Sequence, residues 1–284
     1  MTRRLLALAL LATVLLAGCS RNVASDTDPT PSNGVPPPLT VATVDFPSTW
    51  LAEQVGGKGV VVQRVGPAEL ATTESDVLVY VPGLDPAVDA AAQSLPPESV
   101  VDVTADVTQL ANPRNPEQRD PYAWLDPLNI STMAETLSKA LTDASPTTYD
   151  ANQYYGLRAL GTQNKAGDLD QSLQEKFDTC RVGTLVVDAP VLTYLARTYA
   201  FEQVPLLLWK PAKQPVRAVY YTPEEARPVR KAAKDAGVDA VRIESLAHGA
   251  PADDLLAGVA MVGDRIAKHQ NCPVATPVST DRPG

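Results

Sequence analysis

Asp76-Val-Leu-Val-Tyr-Val81 is the stretch that decides the fold class of this chain. Apart from its first residue it is wholly apolar, which is typical of a strand buried on both faces of a parallel sheet. Comparable strand patterns precede and follow it, at Leu39–Val44, Val60–Val65 and Ser99–Val103, with helical patterns between them. This alternation predicts an α/β architecture for the first half of the chain.

The second half of the chain repeats the alternation. The predicted strands and helices are, in chain order, Thr184–Val187, Val191–Tyr199, Val204–Leu208, Val216–Tyr221, Glu224–Ala236, Ala240–Ile243 and Asp253–Lys268. A long helical pattern from about residue 148 to Phe177 connects the two halves, with Leu157, Leu160, Leu169 and Leu173 expected on its apolar side. We therefore predict two βα lobes that are joined by one long rigid helix and separated by a cleft.

The N-terminus has the composition of a bacterial export signal. Arg3 and Arg4 precede an apolar run that ends at Leu16, and Ala-Gly-Cys19 follows. The basic start, apolar run and small residues indicate a secretory signal. The Cys after the small pair resembles a lipoprotein signal, in which the thiol of Cys19 is acylated and starts the mature chain. A plain signal peptide is the alternative, whereas the run is shorter than the ~20 residues of a membrane span.

These patterns divide the chain into six predicted segments. They are a signal peptide (1–18), a lipidated disordered tether (19–38), an N-terminal lobe (39–147), a connecting helix (148–177), a C-terminal lobe (178–272) and a flexible tail (273–284). The tether and tail are rich in Pro, Ser and Thr, so they bury too little surface to offset the entropy of ordering them. We expect the protein on the outer face of the cytoplasmic membrane, anchored by lipid.

Composition and motifs exclude several function classes. The formal net charge is −9, which disfavours nucleic-acid binding because phosphate neutralisation needs clustered Lys and Arg. The sequence has no Gly-rich phosphate loop, no Ser or Cys nucleophile beside a His and no His-Glu-x-x-His motif, so it does not predict an enzyme. It does not indicate an oligomeric state.

Cys180 and Cys272 are the two cysteines that remain once Cys19 is assigned to lipid. In an oxidising compartment a disulfide between them is the default expectation. Two free thiols are the alternative.

Two motifs carry a family resemblance. Asp120-Pro-Tyr-Ala-Trp-Leu-Asp-Pro127 resembles the Asp-Pro-His-x-Trp-Leu-Asp-Pro signature of solute-binding proteins of zinc and manganese ABC uptake transporters. The segment from Asp188 to Tyr199 is similar to that family's Ser-His-x-Ala-Phe-Gly-Tyr-Leu-Ala-x-x-Tyr segment, and the cysteine pair also falls where relatives carry it. The resemblance covers about residues 40–272. It implies two lobes, a divalent cation bound in the cleft and delivery of that cation to an ABC permease in the membrane.

The chain departs from the family at its metal ligands. The family binds metal mainly through three histidines and one carboxylate, whereas this chain has only two histidines, neither at a ligand position. Tyr122 and Ala189 stand at two of the histidine positions, and the third is lost in the shortened loop 66–69. The carboxylate position corresponds best to Glu244.

The remaining candidate ligands are all oxygen donors: Glu69, Tyr122, Asp188 and Glu244. Such a set suits a hard cation such as manganese better than zinc, because zinc prefers imidazole and thiolate. The alternatives are that Asp188 caps the next helix, that Glu244 is a solvated loop acid and that Tyr122 is a packing residue that fills the old metal position. We therefore expect one divalent cation, zinc or manganese, or none.

Two function hypotheses follow. The first is a lipid-anchored solute-binding protein of a metal-uptake ABC transporter with an altered or weakened metal site. The second is an envelope lipoprotein that keeps the scaffold, binds no metal and acts as an interaction module.

Overall fold

The structure is a computed structural model that describes residues 34–180, 183–223 and 226–272. The predicted signal peptide, Cys19, most of the predicted tether and the tail at 273–284 lie outside these residues. The described residues form one compact unit. Among the described helices, none combines the length and the apolar character that crossing a bilayer requires.

The N-terminal lobe is built on a four-stranded parallel sheet in the order β2-β1-β3-β4. Its strands are β1 (Leu39–Thr43), β2 (Val60–Arg64), β3 (Val77–Tyr80) and β4 (Val100–Asp102). The stretch that predicts the fold forms β3, whose Val77, Leu78 and Val79 are at most 1% exposed. Helices α1 (Phe46–Leu51) and α2 (Pro86–Ala92) follow β1 and β3.

The C-terminal lobe contains a second four-stranded parallel sheet, in the order β10-β9-β7-β8. Its strands are β7 (Thr184–Val187), β8 (Glu202–Pro205), β9 (Ala218–Tyr221) and β10 (Asp239–Arg242), and its helices are α5 (Thr193–Thr198), α6 (Ala226–Ala236) and α7 (Leu255–His269). The predicted strand Val204–Leu208 ends at Pro205, and a 3₁₀ turn, Leu206–Leu208, follows it. The predicted α/β fold with two βα lobes is confirmed.

Helix α4 (Ala151–Phe177) contacts both lobes and packs along α3 (Pro127–Ala144). Near its start, the Tyr155 hydroxyl donates a hydrogen bond of 3.0 Å to the Gly59 carbonyl in the N-terminal lobe. Near its end, Lys176 forms an ion pair with Asp264 of α7 in the C-terminal lobe. The helix is therefore fixed at both ends, as a connecting helix between lobes must be.

The predicted apolar side of α4 was partly wrong. Leu157 and Leu160 are 63% and 50% exposed, whereas Tyr155, Ala159 and Ala166 are at most 3% exposed. Leu157 lies two residues after Tyr155, which places it about 200° around the helix, on the opposite side. Small residues at the buried positions let α3 and the N-terminal lobe approach the helix closely.

Two further features complete the fold. A β-hairpin that the sequence did not indicate, β5 (Ala111–Asn112) with β6 (Asn115–Arg119), precedes the Asp120–Pro127 motif. A disulfide joins Cys180, just after α4, to Cys272, just after α7, across a sequence separation of 92 residues. It covalently links the end of the connecting helix to the last helix of the C-terminal lobe.

Candidate functional site

The carboxyl ends of strands from both sheets meet at one cavity of about 610 Å³. Asp45 follows β1, Val81 follows β3, Ala189 follows β7 and Thr222 follows β9, and all four line this cavity. In open parallel sheets, ligand sites form at this edge because the loops that follow the strands converge there. We refer to this cavity as the cleft.

A salt bridge lies at the cleft. Arg114, between β5 and β6, places its guanidinium nitrogen 2.9 Å from a carboxylate oxygen of Asp188, which directly follows β7. The Asp188 side chain is only 9% exposed and that of Arg114 is 38% exposed. The hairpin therefore brings a positive charge from one side of the cleft to the candidate ligand Asp188.

Tyr122 and Ala189 line the cleft, as their motif positions predict. The Tyr122 ring contacts the Trp124 ring edge-on, with 5.4 Å between the ring centroids. The indole of Trp124 is completely buried and donates a hydrogen bond of 2.9 Å to the Ser245 carbonyl. The aromatic pair thus connects the Asp120–Pro127 motif to the loop after β10.

Glu244 and Glu69 do not line this cavity beside Tyr122 and Ala189. Glu244 pairs with Arg242 at 2.9 Å, and the neighbouring Ser245 lines the cleft instead. In extended chain, alternate residues point to the same side, so Glu244 follows Arg242 away from the cleft. Glu69 accepts a hydrogen bond of 2.8 Å from the Gly66 amide within its own loop.

No group of three or more His, Cys, Asp or Glu side chains is arranged to hold a metal ion within residues 34–180, 183–223 and 226–272. His248 lines the cleft, and its carbonyl oxygen accepts a hydrogen bond of 3.2 Å from Arg64. His269 lies at the end of α7, with its ring nitrogen 3.1 Å from a carboxylate oxygen of Asp239. The described histidines are therefore far from forming an imidazole cluster.

Asp45 is a buried carboxylate in the cleft wall that the sequence did not single out. It accepts hydrogen bonds from the Ser48 amide at 2.7 Å, the Ser48 hydroxyl at 2.9 Å and the Val81 amide at 3.2 Å. Burial raises the pKa of Asp45, and these donors partly oppose that rise. The sequence Asp-Phe-Pro-Ser after β1 could have identified Asp45 as a helix cap, because Asp closely followed by Pro is typical of a helix N-terminus. Its role is to cap α1 and hold β3.

Asp120 is the second buried carboxylate near the cleft. It is 1% exposed, and burial raises its pKa to about 6, with hydrogen bonds acting in the opposite direction. One carboxylate oxygen accepts from the Tyr122 amide at 2.8 Å. Its carbonyl oxygen accepts from the Tyr194 hydroxyl at 3.2 Å, and that hydroxyl in turn accepts from the Leu110 amide at 3.2 Å. Tyr194 of α5 thus holds both ends of the β5–β6 hairpin.

Residues 41–268 match the family model described as the periplasmic component A of the zinc-uptake complex, ZnuA. This match spans most of the chain. The chain belongs to the ZnuA family. Proteins of the ZnuA family are extracytoplasmic solute-binding components of ABC transporters, not enzymes, and they work with a permease and an ATPase. The family assignment made from the Asp120–Pro127 and Asp188–Tyr199 motifs is confirmed.

Solved structures share the fold. The laminin-binding protein Lbp of Streptococcus pyogenes is 18% identical, with a TM-score of 0.68, and the match covers 82% of this chain and 99% of that chain. A Zn(II)-bound variant of AdcAII from Streptococcus pneumoniae matches with 18% identity, a TM-score of 0.69 and the same coverage. The laminin-binding protein Lmb of Streptococcus agalactiae, described as having adhesin and metal-transporting activity, also matches with 18% identity, a TM-score of 0.68 and the same coverage. No protein of curated function matches in sequence.

Proposed function

We propose that this ZnuA-family protein is the lipid-anchored solute-binding protein of a metal-uptake ABC transporter of the zinc or manganese type, and that its cleft is altered. The observation that carries the proposal is the salt bridge between Arg114 and Asp188 in the cleft. Tyr122 and Ala189, which stand where the family has histidines, line the same cavity. The guanidinium of Arg114 thus lies in the cavity where the family resemblance predicts the metal, and the structurally similar AdcAII variant is described as Zn(II)-bound.

The chemistry of the cleft explains why cation binding is weakened. Arg114 carries a permanent positive charge, so it neutralises Asp188 and repels a second cation from that carboxylate. Tyr122 is a poor ligand because a neutral phenol, with a reference pKa near 10, must lose its proton to bind metal. A divalent cation therefore has to displace Arg114 from Asp188, and the oxygen donors then favour manganese over zinc.

Replacing Arg114 tests this proposal. Arg114→Met removes the ion pair to Asp188 together with the competing charge, so the affinity for Mn²⁺ should rise about tenfold or more, the equivalent of roughly 1.4 kcal/mol. Arg119→Met is the matched control, because Arg119 belongs to the same hairpin and pairs with Asp102 at 3.3 Å instead. Titration calorimetry of the three proteins measures the effect. Unchanged or weaker binding by Arg114→Met would contradict the role given to the salt bridge.

The lipid anchor is part of the proposal and rests on the sequence that ends at Cys19. Cys19→Ala should release the protein from the membrane fraction or leave its precursor unprocessed. Membrane fractionation with detection by mass spectrometry distinguishes these results from the wild type. Normal processing together with detergent-dependent extraction of the variant would rule out lipidation at this residue.

A lipoprotein that keeps the scaffold as an interaction module is the second candidate. The scattered carboxylates and histidines of the described residues favour it. Uptake of radioactive zinc and manganese by cells that lack the protein separates the two functions. Reduced uptake that the wild-type chain restores supports the transporter function, whereas unchanged uptake supports the interaction module.

A further inference from the structure

Leu207 and Leu208 are the most exposed large apolar side chains of the described residues, at 90% and 68%. They lie next to each other in the 3₁₀ turn that follows β8, a strand at the edge of the C-terminal sheet. Single exposed apolar residues are ordinary on protein surfaces, but an adjacent pair at the tip of a turn indicates contact with an apolar partner.

The turn holds these leucines in fixed positions. Trp209 is 9% exposed, and its indole nitrogen donates a hydrogen bond of 2.9 Å to the Gln214 carbonyl. Leu206 packs against the same buried cluster as Trp209. The residues before and after the pair are therefore anchored in the lobe, and Leu207 and Leu208 project from a rigid base.

The segment that follows the turn, residues 209–236, is basic although the protein is acidic. Residues 209–236 contain seven basic side chains against three acidic ones, in a chain of net charge −9. All seven are exposed: Lys210, Lys213, Arg217, Arg227, Arg230, Lys231 and Lys234. Trp209 shares one buried cluster with Val229 and Ala233 of α6, so the turn and this basic helix lie on the same side of the sheet. We call Leu207, Leu208 and these seven residues the leucine–lysine face.

We propose that the leucine–lysine face binds the surface of a membrane that contains anionic lipid headgroups. Lys and Arg near such a surface attract it electrostatically, and Leu207 and Leu208 insert between the headgroups. The apolar tip and the exposed Lys210 and Lys213, which follow it closely in the chain, together complement a lipid surface that carries negative charge.

The proposal rests on the proposed lipid anchor for its strength in the cell. A random-coil chain of about 20 residues, roughly the number between Cys19 and β1, has a root-mean-square length of about 25 Å. Such a tether keeps the leucine–lysine face at high effective concentration near the bilayer, so a weak intrinsic affinity is sufficient. Docking through this face would then hold the lobes in one orientation relative to the membrane.

Vesicle binding tests the face without the anchor. A chain of residues 20–284 lacks Cys19 and therefore carries no lipid, and it contains all the residues that the structure describes. It is mixed with vesicles of phosphatidylcholine alone or with roughly one-third phosphatidylglycerol, and binding is measured by sedimentation and by tryptophan fluorescence. We expect binding to the anionic vesicles only, weakened by added salt. Absence of binding to anionic vesicles, or equal binding to both compositions, would overturn the proposal.

Two double variants examine the two components of the face. The pairs Leu207→Ser with Leu208→Ser, and Lys210→Glu with Lys213→Glu, should each weaken vesicle binding about tenfold or more. The control pair Leu157→Ser with Leu160→Ser replaces two other exposed leucines, on α4, and should leave binding unchanged. Thermal unfolding confirms that each variant is folded.

The outcomes are separable from those of the anchoring and metal experiments. Equal vesicle binding by wild type and both face variants would overturn the proposal, as would loss of binding in the α4 control pair. Binding of the wild type to detergent-solubilised permease through Leu207 and Leu208, without binding to vesicles, would identify the face as a protein interface and also overturn it. Cys19→Ala tests the anchor and Arg114→Met tests the cleft, and neither changes the leucine–lysine face.

Discussion

The salt bridge between Arg114 and Asp188 should stabilise the folded protein, and a double-mutant cycle measures by how much. At 2.9 Å, two unit charges attract each other by about 1.4 kcal/mol at the dielectric constant of water and by about 6 kcal/mol at an effective value of 20. Arg114 is 38% exposed, so solvent screens the pair and desolvation of Asp188 offsets part of the attraction. We expect a coupling free energy of about 1–3 kcal/mol.

The assay is urea unfolding of wild type, Arg114→Met, Asp188→Asn and the double variant. Arg114→Met leaves a largely buried charge on Asp188 without this partner, so it should be the more destabilising single change and should lower the urea midpoint more than Asp188→Asn does. The double variant should recover part of that loss. Additive effects, with a coupling below about 0.5 kcal/mol, would refute the claim that the two side chains form a functional pair across the cleft.

Three further predictions concern stability. Cys180 and Cys272 should resist alkylation until their disulfide is reduced, and labelling of both without reduction would contradict this bond. Reduction should lower the free energy of unfolding by up to about 4–5 kcal/mol for the 92-residue separation. Burial raises the folded-state pKa of Asp120 to about 6, so the folded protein holds this proton more tightly than the unfolded chain, and the free energy of unfolding should fall by up to about 3 kcal/mol as the pH rises from 4 to 6. Asp120→Asn should flatten this dependence in unfolding measured at several pH values, and an unchanged profile would contradict the assignment. Gly263→Ala should lower the free energy of unfolding by about 1–3 kcal/mol, because the added Cβ would lie 2.3 Å from the Leu173 side chain of α4. Gly161→Ala has nothing within 4 Å of the added Cβ and should raise the free energy of unfolding by up to about 1 kcal/mol, so equal effects in calorimetry would refute this packing.

The fold was largely predictable because its core strands are continuous apolar runs. β3 and β7 are short apolar runs, which are typical of strands in sheets that are covered on both faces. The helices after β1 and β3 are capped by Asp45 and Asp85, each followed closely by proline, and this is a local signal that the sequence carries.

The cleft was less predictable because its geometry depends on contacts that are distant in sequence. Every residue of β6 is exposed, so its polar sequence had no apolar alternation to reveal the hairpin that carries Arg114. Arg114 and Asp188 lie far apart in the chain, and only the fold brings them together. At the loop after β10, a shift of one residue decides whether Glu244 or Ser245 faces the cleft, and alignment by motif cannot resolve such a shift.

The proposal that the cleft is altered depends on how tightly the protein binds zinc. Titration calorimetry of the tag-free mature protein, after dialysis against a chelator, measures this affinity and its stoichiometry directly. We expect no tight zinc binding, because Asp188 is paired with Arg114 and no imidazole cluster lies among the described residues. One tightly bound zinc per chain, lost in Asp188→Ala, would contradict the account.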